Sequence, residues 1–205
     1  MSGFDENIVR EYFEMNGFFV RQVPKYSTRS RKKGSDEAVA LMINKPEAVK
    51  EQSVANFQLF SADMESIQQA VVVIRSWYLC EFSPELLKSS SKLFNYLKKN
   101  AFNQSKAYFI KESFEDDKIW ESVSDSYTNI IVLPGLPSND PHRSESIDIL
   151  KTNGIDGIIT YSTILESLLR QVQVNNIYQK SDLLQLMRIL KIYNMVKDPQ
   201  MTLFQ

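Results

Sequence analysis

The chain is poor in the residues that usually announce chemistry. Its 205 residues include one cysteine, Cys80, and one histidine, His142. No intramolecular disulfide or cysteine-rich zinc site can be assembled from a lone thiol. A single histidine likewise rules out a histidine-built metal cage. It leaves Ser-His and Cys-His catalysis with one base to draw on, far in sequence from Cys80. No stretch approaches the roughly 18–20 consecutive apolar residues that a membrane span requires. The longest candidate, Ala70 to Ile74, is strand-sized. Residues Met1 to Asn16 carry Asp5, Glu6, Glu11 and Glu14, the reverse of a basic leader. These absences make a cytoplasmic protein with no membrane partner the expectation. Neither charge is in excess: 24 Lys and Arg against 25 Asp and Glu give a net charge of −1. Any polyanion-binding surface must therefore come from a local patch. Repeats and low-complexity tracts are missing as well.

The apolar side chains are present in ordinary amounts. A hydrophobic fraction of 43% and a charged fraction of 24% match globular averages of about 45–50% and about 25%, so a single domain of residues 1–205 is expected. Ile8, Val9, Tyr12 and Phe13 recur at helical spacing between Asp5 and Met15, with Asn16-Gly17 as a stop. Strands are expected at Phe18 to Val23, Ala38 to Ile43, Ala70 to Trp77, Asn129 to Leu133 and Ile155 to Thr160, the third marked by a run of β-branched residues. The stretch from Glu47 to Phe60 is ambiguous, with strand character near Val54 to Phe60. A short helix is expected at Asp63 to Gln69, capped by Ser61 or Asp63. Ser83-Pro84-Glu85 is a good helix start. Helices follow over Pro84 to Lys99, Gln104 to Phe114, Arg143 to Asn153 and Thr160 to Val172. A last one runs from Ser181 or Asp182 to about Val196. Alternation of strands with helices predicts an α/β fold, a central mixed β-sheet flanked by helices on both faces. The first two strands, joined by a loop alone, are expected to pair antiparallel.

One order of pieces stands out. A helix bearing Glu11 is followed by the strand Phe18 to Val23, a basic loop, Asp36-Glu37 heading Ala38 to Ile43, the strand Val71 to Trp77 and a helix. Over about residues 5–110 this order resembles the restriction-endonuclease-like superfamily of PD-(D/E)XK nucleases, with residues 127–197 as a C-terminal α/β extension that matches no motif. The resemblance implies that an Asp on one strand and a (D/E)-x-K on the next hold Mg²⁺ beside the scissile phosphate. Two residues apart on a strand, the second acid and the lysine share a face. The metal neutralises developing charge and activates water, which demands hard oxygen ligands. In Val71-Val72-Val73-Ile74-Arg75-Ser76-Trp77 the second acid falls on Val73 and the lysine on Arg75. Valine cannot coordinate a cation, and a guanidinium stays protonated and cannot serve as a base. The first acid falls on Asp36 or Glu37, or else on Val39. The resemblance thus implies a nuclease fold with a depleted site whose remaining candidates are Glu11, Asp36, Glu37 and Arg75, with Asp36 and Glu37 as metal ligands. The off-register Glu81 could help rebuild a ligand set. No cofactor is expected, and Mg²⁺ only if the site is active.

The strongest remaining functional signal is the loop from Lys25 to Ser35. Its five cations, Lys25, Arg29, Arg31, Lys32 and Lys33, are interleaved with Tyr26 and hydroxyl side chains, a composition suited to DNA or RNA phosphates. The alternative is a solvated loop, with Asp36-Glu37 serving only to neutralise it. Arg75 within an apolar strand calls for a partner, with Glu11 a candidate. Pro134-Gly135-Leu136-Pro137 lacks the lysine and glycine spacing of a phosphate loop and reads as strand-end geometry. Apolar residues from Leu183 to Tyr193 cover more than half of the last helix, which is expected to be wedged in the core or, failing that, shared in a homodimer. Trp77 and Trp120 read as packing residues. Three functions are open: a catalytically depleted nucleic-acid-binding module, an active Mg²⁺-dependent nuclease with relocated carboxylates, or an assembly domain using the C-terminal helices.

Overall fold

The computed structural model describes residues 3–23, 39–46, 56–75, 83–102 and 127–197. Helix α1 (Gly3–Met15) buries Ile8, Val9, Tyr12 and Phe13 along one stripe. It stops where the sequence demands: Gly17 takes φ 84° and Phe18 N–H donates to Phe13 O at 3.0 Å. A left-handed residue just past a helix is costly for any side chain but glycine.

Strands β1 (Phe19–Val23), β2 (Val39–Asn44), β3 (Gln69–Ile74), β4 (Thr128–Leu133) and β5 (Gly157–Thr160) form one sheet in the order β1-β2-β3-β4-β5. β1 and β2 pair antiparallel, as do β2 and β3, whereas β3, β4 and β5 run parallel. The sheet is therefore mixed, and β4 and β5 continue the sheet begun by the N-terminal strands. Three residues outside the strands line β5: Gln58 bridges Ile158, Ile158 N–H donates to Phe57 O at 2.8 Å and Leu59 N–H to Ile158 O at 2.8 Å. Gly157 is needed there, because a Cβ would stand 2.5 Å from Leu59 Cδ1.

The C-terminal helices are α4 (His142–Thr152), α5 (Tyr161–Gln171) and α6 (Asp182–Ile192). Helices cover both faces. On one, α1, α5 and α6 supply Ile8, Phe13, Ile164, Leu168, Leu184 and Met187 against Leu41, Ile43, Val72, Ile74, Ile130, Val132 and Ile159. On the other, Leu93, Leu97, Phe102 and Leu150 pack on Ile131, Leu133 and Ile158. The alternation of side chains along each strand makes this division.

Three expectations are corrected. The single helix expected from Pro84 to Lys99 is two, α2 (Pro84–Lys88) and α3 (Ser90–Leu97), followed by a wide π-type turn over Lys98–Phe102. Ser89 makes the break. Its backbone is extended, its N–H closes α2 on Leu86 O and its hydroxyl caps α3 by accepting from Lys92 N–H. Serine competes with the helical backbone in this way. The short helix expected at Asp63 to Gln69 is a 3₁₀ turn at Ser61–Glu65, where Phe60 N–H donates to the Asp63 carboxylate at 2.7 Å. The last helix ends at Ile192, short of Val196, because Asn194 takes φ 53°. The helix expected at Gln104 to Phe114, and Trp77 and Trp120, lie outside the described residues.

Candidate functional site

The two positions that the resemblance singles out lie at the C-terminal end of β3. Val73 sits between Ala40 on β2 and Ile131 on β4 and is fully buried. Its isopropyl group fills a position where the resemblance implies a carboxylate. Beyond the last residue of β3, Arg75 N–H donates to Val132 O at 3.0 Å and prolongs the parallel ladder. The half-buried Arg75 continues the face that carries Val71 and Val73, and its Nη2 donates to Asn100 O in the π-type turn. A guanidinium at a helix-terminal carbonyl is electrostatically favourable.

Glu11 is half-buried on α1, and α1 packs on the face carrying Val72 and Ile74. Alternation along β3 thus puts Glu11 and Arg75 on opposite sides of the sheet, and the expected pairing of Arg75 with Glu11 gives way to one with a helix carbonyl. Val39, the remaining position for the first acid, pairs with Ile74 at the start of β2. Asp36, Glu37, Glu81, Cys80 and the five loop cations Lys25, Arg29, Arg31, Lys32 and Lys33 lie outside the described residues. Among the described residues no three His, Cys, Asp or Glu side chains are grouped to hold a metal ion. Val73 and Arg75 do not fit Mg²⁺, which takes oxygen ligands. His142 stacks on Phe94 with ring centroids 5.1 Å apart, and its buried Nδ1 has no hydrogen-bond partner among the described residues. It is a packing residue there.

Pro134-Gly135-Leu136-Pro137 is strand-end geometry, as read: a Cβ on Gly135 would lie 2.9 Å from Leu87 Cδ2. Burial of the last helix is corrected. Leu184 and Met187 are buried, but Leu186, Ile189, Ile192 and Tyr193 are 40–71% exposed. The helix's two cations turn to backbone instead: Lys191 Nζ donates to Leu169 O and Val172 O, and Arg188 Nε to Val174 O at 2.8 Å.

The structure brings out one group that no sequence motif marks. From Leu86 to Phe102 the chain has four lysines and no acid. All four, Lys88, Lys92, Lys98 and Lys99, are exposed on α2, α3 and the π-type turn. The neighbouring Glu85 is held below the usual carboxylate range chiefly by the Ser83 hydroxyl, then by its own backbone N–H, with Lys92 adding to it. Searches against protein-family models, curated proteins and solved structures find no match to this chain.

Proposed function

We propose that this chain is a nucleic-acid-binding module on a PD-(D/E)XK-like core whose metal-binding positions have been given over to packing. The element order supports it: a helix, two antiparallel strands, a β-branched third strand, then helices crossing to a parallel fourth. The observation that carries the depleted site is the pair Val73 and Arg75. The first is sealed between two strands, and the second is bonded to a helix carbonyl. With both at the positions the resemblance implies for acid and lysine, those two positions keep a cation but supply Mg²⁺ no carboxylate oxygen. Binding to nucleic acid then rests on salt-sensitive phosphate contacts.

Incubation with plasmid across Mg²⁺ and Mn²⁺ titrations tests the reading, together with binding measured against salt. Affinity that falls steeply with salt, weakens when Arg31, Lys32 and Lys33 become Ala and is accompanied by no cleavage is the expected result. Cleavage abolished by Asp36→Ala would instead establish an active nuclease with relocated carboxylates. A flat salt response would remove nucleic acid as the partner. A second reading, assembly as a homodimer, draws on the exposed apolar face of α6. Of the charged residues on α6, Asp182 alone has an exposed side chain.

A further inference from the structure

Several cations elsewhere among the described residues are engaged by oxygen partners. Arg10 pairs with Glu6 at 3.1 Å, Arg170 meets Glu166 at 4.0 Å and Arg143 donates to Gln58 at 2.6 Å. Arg188 and Lys191 serve backbone carbonyls. The lysines of the α2–α3 layer are set apart by clustering: four fall within one short acid-free stretch, and among the described residues none of Lys88, Lys92, Lys98 and Lys99 has a carboxylate within salt-bridge distance. With Glu85 included, residues Pro84 to Phe102 carry a charge of +3 in a chain whose net charge is −1.

Packing arranges these charges. α3 and the turn after it commit Leu93, Phe94, Leu97, Ala101 and Phe102 to the core, which fixes the opposite face outward. Lys92, Asn95 and Lys99, at steps of three and four residues, line that outward face and are exposed. Lys98 flanks the stripe with its Nζ 5.6 Å from the Phe94 ring centroid, and Lys88 extends it onto α2. Seven residues of helix span about 10.5 Å, roughly three base-pair steps of about 3.4 Å along one strand. Like charges held this way repel one another, and a polyanion relieves that repulsion by displacing its counterions.

We infer that the lysine stripe of α2 and α3 is a phosphate-tracking surface that lies along the backbone of a nucleic acid and contributes affinity without reading bases. The inference rests on the nucleic-acid reading above and adds a second contact surface to the Lys25–Lys33 loop. The test uses the full chain, with a fluorescein-labelled DNA duplex and a single-stranded RNA of equal length titrated from about 50 to about 200 mM salt. Changing Lys88, Lys92, Lys98 and Lys99 together to Gln is expected to weaken binding by at least about tenfold. It should also flatten the log–log salt slope by three to four for duplex DNA and by about three for a single strand, at about 0.9 and 0.7 per phosphate. The same four changed to Arg should keep both, and neither variant should shift the thermal unfolding midpoint. Wild-type protein that binds with a steep slope but is unaffected by the Gln changes overturns the stripe and leaves the nucleic-acid reading standing. Wild-type protein that binds neither probe at the lowest salt overturns both. Loss of binding to phosphatidylserine vesicles alone, with nucleic-acid binding intact, reassigns the stripe and overturns the inference.

Discussion

Val73 and Tyr12 show what single side chains commit this fold to. Val73 is enclosed by strands on both sides and by packing on both faces, so a carboxylate there would be a buried charge, with Arg75 further along that face already donating to the Asn100 carbonyl. Val73→Glu should therefore destabilise the protein by about 3–5 kcal/mol, the cost of an uncompensated buried charge. The expected readout is a lower urea midpoint with an unchanged m-value, and a variant as stable as wild type would refute the packing described for β3. Tyr12 is fully enclosed. Burial outweighs the nearby Ser61 hydroxyl and, with the Asp63 carboxylate, pushes its pKa from 10.0 up to about 12. Tyr161 is raised too, by burial first and then by the Asp5 carboxylate. A folded-state pKa above the unfolded one means the folded protein holds the proton more tightly. That stability is complete below pH 10 and is lost as pH rises from 10 through 12, about 3 kcal/mol for Tyr12. Thermal melts taken across that range should fall steeply for wild type and less steeply for Tyr12→Phe.

At the level of elements, helix α6 makes the sharpest claim. Leu184 and Met187 anchor it to α1 and α5, while Leu186, Ile189 and Tyr193 form a stripe on its far side at helical spacing. Antiparallel packing of two copies would set Leu186 against Ile189 and bring Asp182 beside the partner's Tyr193, a self-complementary arrangement suited to two-fold symmetry. Sedimentation velocity should then show a species near twice the 23.7 kDa chain mass, reduced to monomer by Ile189→Lys. A wild type that stays monomeric at high concentration ends the assembly reading. The sequence displayed the wide apolar arc of this helix but not which half is covered, since that depends on where α1 and α5 lie. Ser89 was opaque for a related reason. Helical periodicity runs through it, and only the geometry of two caps on one residue reveals the break. β3 was plain because consecutive β-branched residues suit a strand buried on both faces, and α1 ended where Gly17 dictated.

On the scale of the molecule, the mixed five-stranded sheet with helices on both faces was legible from alternation alone. Of the proposed site, the sequence displayed only the residue types at the positions where the resemblance implies ligands. Val73 and Arg75 could be flagged from their types, but the contact of Arg75 with the Asn100 main-chain carbonyl is one that no pattern of side chains announces. The lysines from 88 to 99 were readable in principle: a run of residues with one sign of charge and no acid is a sequence signal. The sheet's margins carry one more consequence. Residues Phe57 to Leu59 occupy the outer side of β5, whereas β1 has no further strand beside it among the described residues. A strand edge with unpaired main-chain groups is a template for a further strand. Two copies joined through β1 would each use the border that is open among the described residues, and a strand approaching the other side of the sheet would meet Phe57 to Leu59 in place of β5 itself.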